Sequence, residues 1–103
     1  MYNYKEILDG IVRDEKLTSI EKYSIIAFIV ELDRRAGEKP RGITLEEIAI
    51  LMQTSKRTVS YRIDDLVKAQ MLERVETGQL PNGKKLPMKY KIFDVFGNLL
   101  GII

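Results

Sequence analysis

A chain of 103 residues in which 45% of side chains are hydrophobic and 31% charged has the size and balance of one globular domain, large enough to bury a single core. It contains neither cysteine nor histidine, which excludes disulfides, zinc sites of the usual ligands, thiol nucleophiles and imidazole acid/base chemistry together. The net charge of +2 is unevenly spread: residues 1–55 carry 8 basic and 10 acidic side chains and residues 56–103 carry 9 and 5, or −2 against +4, a bias that suits a polyanion at the second half.

No apolar run approaches the roughly 20 residues a membrane span requires, and Met1 to Gly10 has no signal-peptide pattern. A cytoplasmic protein with no membrane partner is expected. A carboxylate-only mechanism would need converging acids, but the neighbours Glu46-Glu47 and Asp64-Asp65 point about 100° apart on a helix. Both pairs read as solvated surface, and neither an enzyme nor a cofactor or metal site is expected.

In chain order, Met1 to Leu17 offers Tyr2, Tyr4, Ile7, Leu8, Ile11 and Val12, enough for a helical turn or an extended arm. Gly10 argues against one continuous helix. Thr18 and Glu21 form a capping box that opens a helix over 18–36. Tyr23, Ile26, Ala27 and Val30 make one face, and Ile25, Phe28, Ile29 and Leu32 widen it. A helix this apolar must be covered on several sides, which makes it the centre of a three-helix core. Asp33-Arg34-Arg35 reads as its solvated end. Gly37 to Gly42 is a loop, in which Lys39 and Arg41, like Arg34 and Arg35, are either hydrated or in reach of phosphate. Ile43 is expected to add one short strand at a sheet edge.

Thr44 and Glu47 form a second capping box for a helix over 44–53, with Leu45, Ile48, Ala49 and Met52 on one face. Gln53-Thr54 breaks that face, and Ser55 caps a further helix over 55–70 whose first turn holds Lys56, Arg57 and Thr58. On it Val59, Ile63, Leu66 and Val67 fall on one side, while Arg57, Tyr61, Asp64, Asp65 and Lys68 fall opposite. Helix, short turn, helix with a polar outer face is the arrangement that lays its second member into a DNA major groove. A plain two-helix corner packed on a third helix fits the same spacing.

From Gln70 the pattern turns strand-like, with Met71-Leu72 and Val75 marking one strand. Met88 to Phe93 forms another, lysines outward and Met88, Tyr90 and Ile92 inward. Asn82-Gly83 favours a type I′ turn at the tip. Lys84 and Lys85 beside it suit a wing over 71–93 that touches a nucleic-acid backbone; lysine also keeps hairpin edges soluble. The last piece, 94–103, is too apolar for a free tail. Gly97-Asn98 suggests a turn, with Leu99 to Ile103 returning as a strand, pairing with another chain, or forming the stub of a longer protein; burial in a dimer contact is expected.

The run ITLEEIAILMQTSKRTVSYRIDDLVKAQMLERV resembles the winged helix-turn-helix domains of bacterial and phage regulators. The resemblance covers about residues 18–93 and is densest at Ser55, Arg57, Thr58, Val59, Ser60, Leu66 and Leu72. It implies an α+β, mostly α fold, a single domain over 1–103 with a three-helix core and a β-hairpin wing. In such domains the leader often packs on a partner subunit, and glycine often stands where this chain has Gln70, so a less tight turn is expected there.

The implied function is sequence-specific binding of double-stranded DNA by a homodimeric transcriptional regulator, its reading helices about 34 Å apart. Arg57 would then read a guanine edge, because its forked donors match O6 and N7. Ser60 and Tyr61 would contact bases or phosphate, and Arg62 the backbone. Ser55, Lys56 and Thr58 would anchor phosphates with the helix-start amides, and Lys84 and Lys85 would do so from the wing. Asp64 and Asp65 would repel phosphate, so only the first two turns are expected in the groove. The run DEKLTSIEKYSIIAFIVEL is also similar to the lead-in of phage and plasmid replication initiators, which usually carry a further domain. A third reading is a winged protein-interaction module using the tyrosines and the apolar tail.

Overall fold

A computed structural model describes residues 3–83 and 86–103. It is an α+β arrangement of four helices and one antiparallel sheet: α1 (Tyr4–Arg13), α2 (Ser19–Arg34), α3 (Leu45–Met52), α4 (Lys56–Lys68), β1 (Leu72–Val75), β2 (Lys89–Phe93) and β3 (Leu99–Ile102), with strand order β1-β2-β3. The combination is compatible with a winged helix. Among the described residues no helix is long and apolar enough to cross a membrane.

Tyr4–Arg13 of the leader forms one helix that runs through Gly10, which corrects the expectation drawn from that glycine. Asn3 caps α1 by accepting a hydrogen bond from the Glu6 N–H. A Cβ at Gly10 would lie 3.5 Å from Val95 Cγ2. That is ordinary van der Waals distance, so a side-chain carbon would fit there; α1 lies against the turn that follows β2, and its packing outweighs a glycine propensity cost of about 1 kcal/mol. Ile11 is fully buried, so the leader covers its own core.

The capping box Thr18/Glu21 opens α2, which buries Ile25, Phe28 and Ile29 and leaves Tyr23 and Val30 each 55% exposed. The face centred on Tyr23 and Val30 is thus the outer one. On a helix apolar nearly all round, periodicity does not say which side the neighbours take; α1, α3 and α4 supply that choice.

Thr44 and Glu47 close the second capping box. The turn from α3 to α4 is tight because Gln53 adopts a left-handed conformation (φ 53°), with Gln53 N–H donating to Ile50 O and Thr54 N–H to Ala49 O. The same device ends α4: Gln70 has φ 62°, Gln70 N–H donates to Val67 O, and Met71 N–H donates to Leu66 O at 3.0 Å. The looser turn expected for want of glycine does not occur. Two hydrogen bonds and the burial of Met71 and Leu66 hold a conformation that costs a non-glycine residue about 1 to 2 kcal/mol.

β1 pairs antiparallel with β2, the next strand in the chain, in the register Leu72↔Ile92 and Arg74↔Tyr90. Tyr90 and Ile92 point into the core, and the Tyr90 ring meets Phe28 edge-on at 5.7 Å between centroids. The tip is not the expected type I′ turn. Gly83 N–H donates to Leu80 O, which places Pro81 and Asn82 at the centre, and of these four residues only Gly83 has positive φ. Proline fixes a negative φ where a type I′ turn needs a positive one.

Ile43 donates one hydrogen bond to Met88 O at 2.9 Å and forms no strand of its own. The preceding Gly42 (φ 82°) passes so close to the hairpin that a Cβ there would stand 2.5 Å from Pro87 O. β3 pairs with β2, and Ile103 and Tyr90 exchange both backbone hydrogen bonds. The Asp94 carboxylate shapes the intervening turn by accepting from Phe96 N–H and Asn98 N–H. Leu100 and Ile103 are buried by their own chain, so these two side chains need no second subunit to cover them, while Leu99 is 42% exposed. Phe96 stays 80% exposed.

Candidate nucleic-acid interface

Opposite the Val59, Ile63 and Leu66 stripe that seats α4 on the core, the positions Arg57, Tyr61, Asp64 and Lys68 follow one another up the helix at spacings of four, three and four. All four are exposed. Arg57 and Tyr61 have no hydrogen bond or ion pair among the described residues, so the guanidinium fork and the phenol are both available to a ligand.

The rest of the predicted site is more constrained. Ser55 Oγ accepts from Thr58 N–H at 3.2 Å and lies 3.0 Å from Thr58 Oγ1, so these two side chains occupy each other. Ser60 Oγ donates back to Lys56 O at 3.3 Å. Lys56 Nζ sits 3.1 Å from Glu46 Oε1 on α3; the Glu46 carboxyl is held below its usual range, by its own backbone N–H first and by Lys56 second. Arg62 does not share the Arg57 face. Five positions on from Arg57 it points roughly 140° away, pairs with Asp65 at 3.8 Å, and lines a groove of about 730 Å³ with Asp14, Lys16, Glu21 and Lys68. Lys84 and Lys85 lie outside the described residues.

Neither acid on α4 is bare. Arg74 of β1 donates from Nη2 to Asp64 Oδ1, and Asp65 has Arg62. The simple repulsion of phosphate expected of both carboxylates is therefore offset by a cation beside each. Glu46 and Arg74 escaped the sequence reading because no local spacing joins them to Lys56 and Asp64; each pair spans ten residues across a turn between elements.

Arg35 is also misplaced by the sequence. It is buried, not solvated: it donates to Glu31 Oε2 at 3.0 Å, to Gly42 O at 2.9 Å and to Glu47 Oε2 at 3.3 Å. It cannot reach phosphate. Arg34 also pairs with Glu31 and Arg41 approaches Glu47 at 3.8 Å, so the acids here have partners within the chain. The Glu31 carboxyl is held below the usual carboxylate range, chiefly by the Arg34 hydrogen bond, with Arg35 adding to it against the opposing effect of burial.

In comparison with known proteins, no family model, no curated protein and no solved structure matches the chain.

Proposed function

We propose that the chain is a winged helix-turn-helix domain that binds double-stranded DNA sequence-specifically, as the homodimer of a cytoplasmic transcriptional regulator. The observation that carries this reading is the pairing of Arg57 and Tyr61 on the outer face of α4, exposed and without partners among the described residues. α2 and α3 hold α4 from behind, and the hairpin of β1 and β2 follows it directly. The first turns of α4 enter the major groove, Arg57 reads guanine O6 and N7, and Tyr61 contacts the next bases or the phosphate beside them.

Titrations on a selected duplex and on its scrambled counterpart test the reading. Arg57→Ala costs about 1 to 3 kcal/mol on the selected duplex and much less on the scrambled one. Equal losses on both would remove Arg57 as a base reader. Absence of any duplex affinity at low salt would leave a protein-interaction module instead, since nonspecific DNA binding is strongest there.

A further inference from the structure

Asp64 shares the exposed stripe with Arg57 and Tyr61, seven positions beyond Arg57. A carboxylate facing DNA normally opposes binding, because the phosphate field raises the cost of bringing it close. Here the charge is met from outside the helix. Arg74 lies on the helix-facing side of β1, its backbone fixed by pairing with Tyr90, and its Nη2 donates to Asp64 Oδ1. Among the described residues Oδ2 accepts no hydrogen bond, and the Asp64 side chain is 54% exposed. The pair therefore presents one open acceptor at no net charge.

Resting on the DNA-binding reading above, we propose that Asp64 is a second base reader, accepting a hydrogen bond through Oδ2 from the exocyclic amino group of a cytosine, with Arg74 as its positioning residue. Only cytosine suits an obligate acceptor at the major-groove edge. Thymine offers O4 and guanine O6 and N7, all acceptors that repel a carboxylate, and adenine sets its N7 acceptor beside its amino group. Seven residues advance about 10.5 Å along a helix, which is about three base-pair steps at 3.4 Å each. The site read by one chain thus contains a guanine and, about three steps away, a cytosine.

Selection of bound duplexes from a random pool, with the whole chain and its variants, tests this. The wild type enriches the guanine and the cytosine at that spacing. Asp64→Ala keeps the guanine and loses about five- to tenfold preference at the cytosine position. Asp64→Asn moves that preference towards adenine, whose N6 and N7 match an amide, an outcome that removal of a repelling charge does not produce. Arg74→Met weakens binding to the selected duplex in the wild-type background and much less in the Asp64→Ala background. Thermal melts of each variant confirm that the fold persists.

A wild-type site without cytosine at that spacing overturns the assignment. So do Asp64 variants that bind every duplex more tightly with unchanged preferences, since Asp64 is then only a repelling charge. A wild type that enriches no sequence overturns the DNA-binding reading itself and this proposal with it.

Discussion

Arg35 and Glu47 join the end of α2 to the start of α3: the guanidinium donates to Glu47 Oε2 at 3.3 Å while Glu47 Oε1 accepts from the Thr44 N–H at 3.1 Å. One carboxylate thus closes a helix cap and meets a buried cation. Glu31 on the other side of Arg35 completes the link, and the loop between α2 and α3 is tied down by Arg35 reaching Gly42 O.

That link is acid-sensitive. A carboxyl whose folded pKa lies below its unfolded value contributes stability that is complete above about pH 4.3 and is lost as pH falls through the folded value. Glu31 is such a group. Denaturant unfolding should therefore show stability falling as pH drops below about 4. Glu31→Gln leaves the buried Arg35 guanidinium with only Glu47 and the Gly42 carbonyl as partners and costs about 1 to 3 kcal/mol at pH 7. It also flattens the loss between pH 7 and pH 3; an equally steep loss in the variant would assign the acid sensitivity to other carboxylates.

Gln53 and Gln70 both sit in left-handed conformations at the ends of α3 and α4. Glycine relieves the contact of Cβ with the backbone but loses more entropy on folding. The balance favours Gln53→Gly and Gln70→Gly by about 0.5 kcal/mol each. Gln53→Val, β-branched at the same φ, destabilises by more than about 1 kcal/mol. Thermal melts should place both glycine variants slightly above the wild type and Gln53→Val below it.

Glu46 pairs with Lys56 at the surface, 3.1 Å between Nζ and Oε1, and so competes with phosphate for the ammonium. Glu46→Gln frees the ammonium at the start of α4. Duplex affinity then rises similarly for all sequences, and the slope of log affinity against log salt steepens by about one unit, as one more phosphate contact requires. Salt titrations of the two proteins on one duplex measure this. An unchanged slope means that Lys56 does not face the phosphates.

The local signals in the sequence determined the capped helix starts at Thr18, Thr44 and Ser55, the apolar stripe of α4, the inward alternation of Tyr90 and Ile92, and hence the exposed face that carries Arg57 and Tyr61. Each rests on residues a few positions apart, whose interactions are set by helix or strand geometry alone. Other features depend on neighbours distant in sequence. Packing of α1 against the core through Ile11 keeps a glycine inside a helix; packing by α1, α3 and α4 turns Ile25 and Phe28 inward and Tyr23 outward; Glu31 and Glu47 draw Arg35 inside. The same holds for Asp64, because its charge is answered from a strand ten residues further on. Tertiary structure decided these points because burial and charge pairing are properties of the space between elements, and that space exists only once the elements have packed.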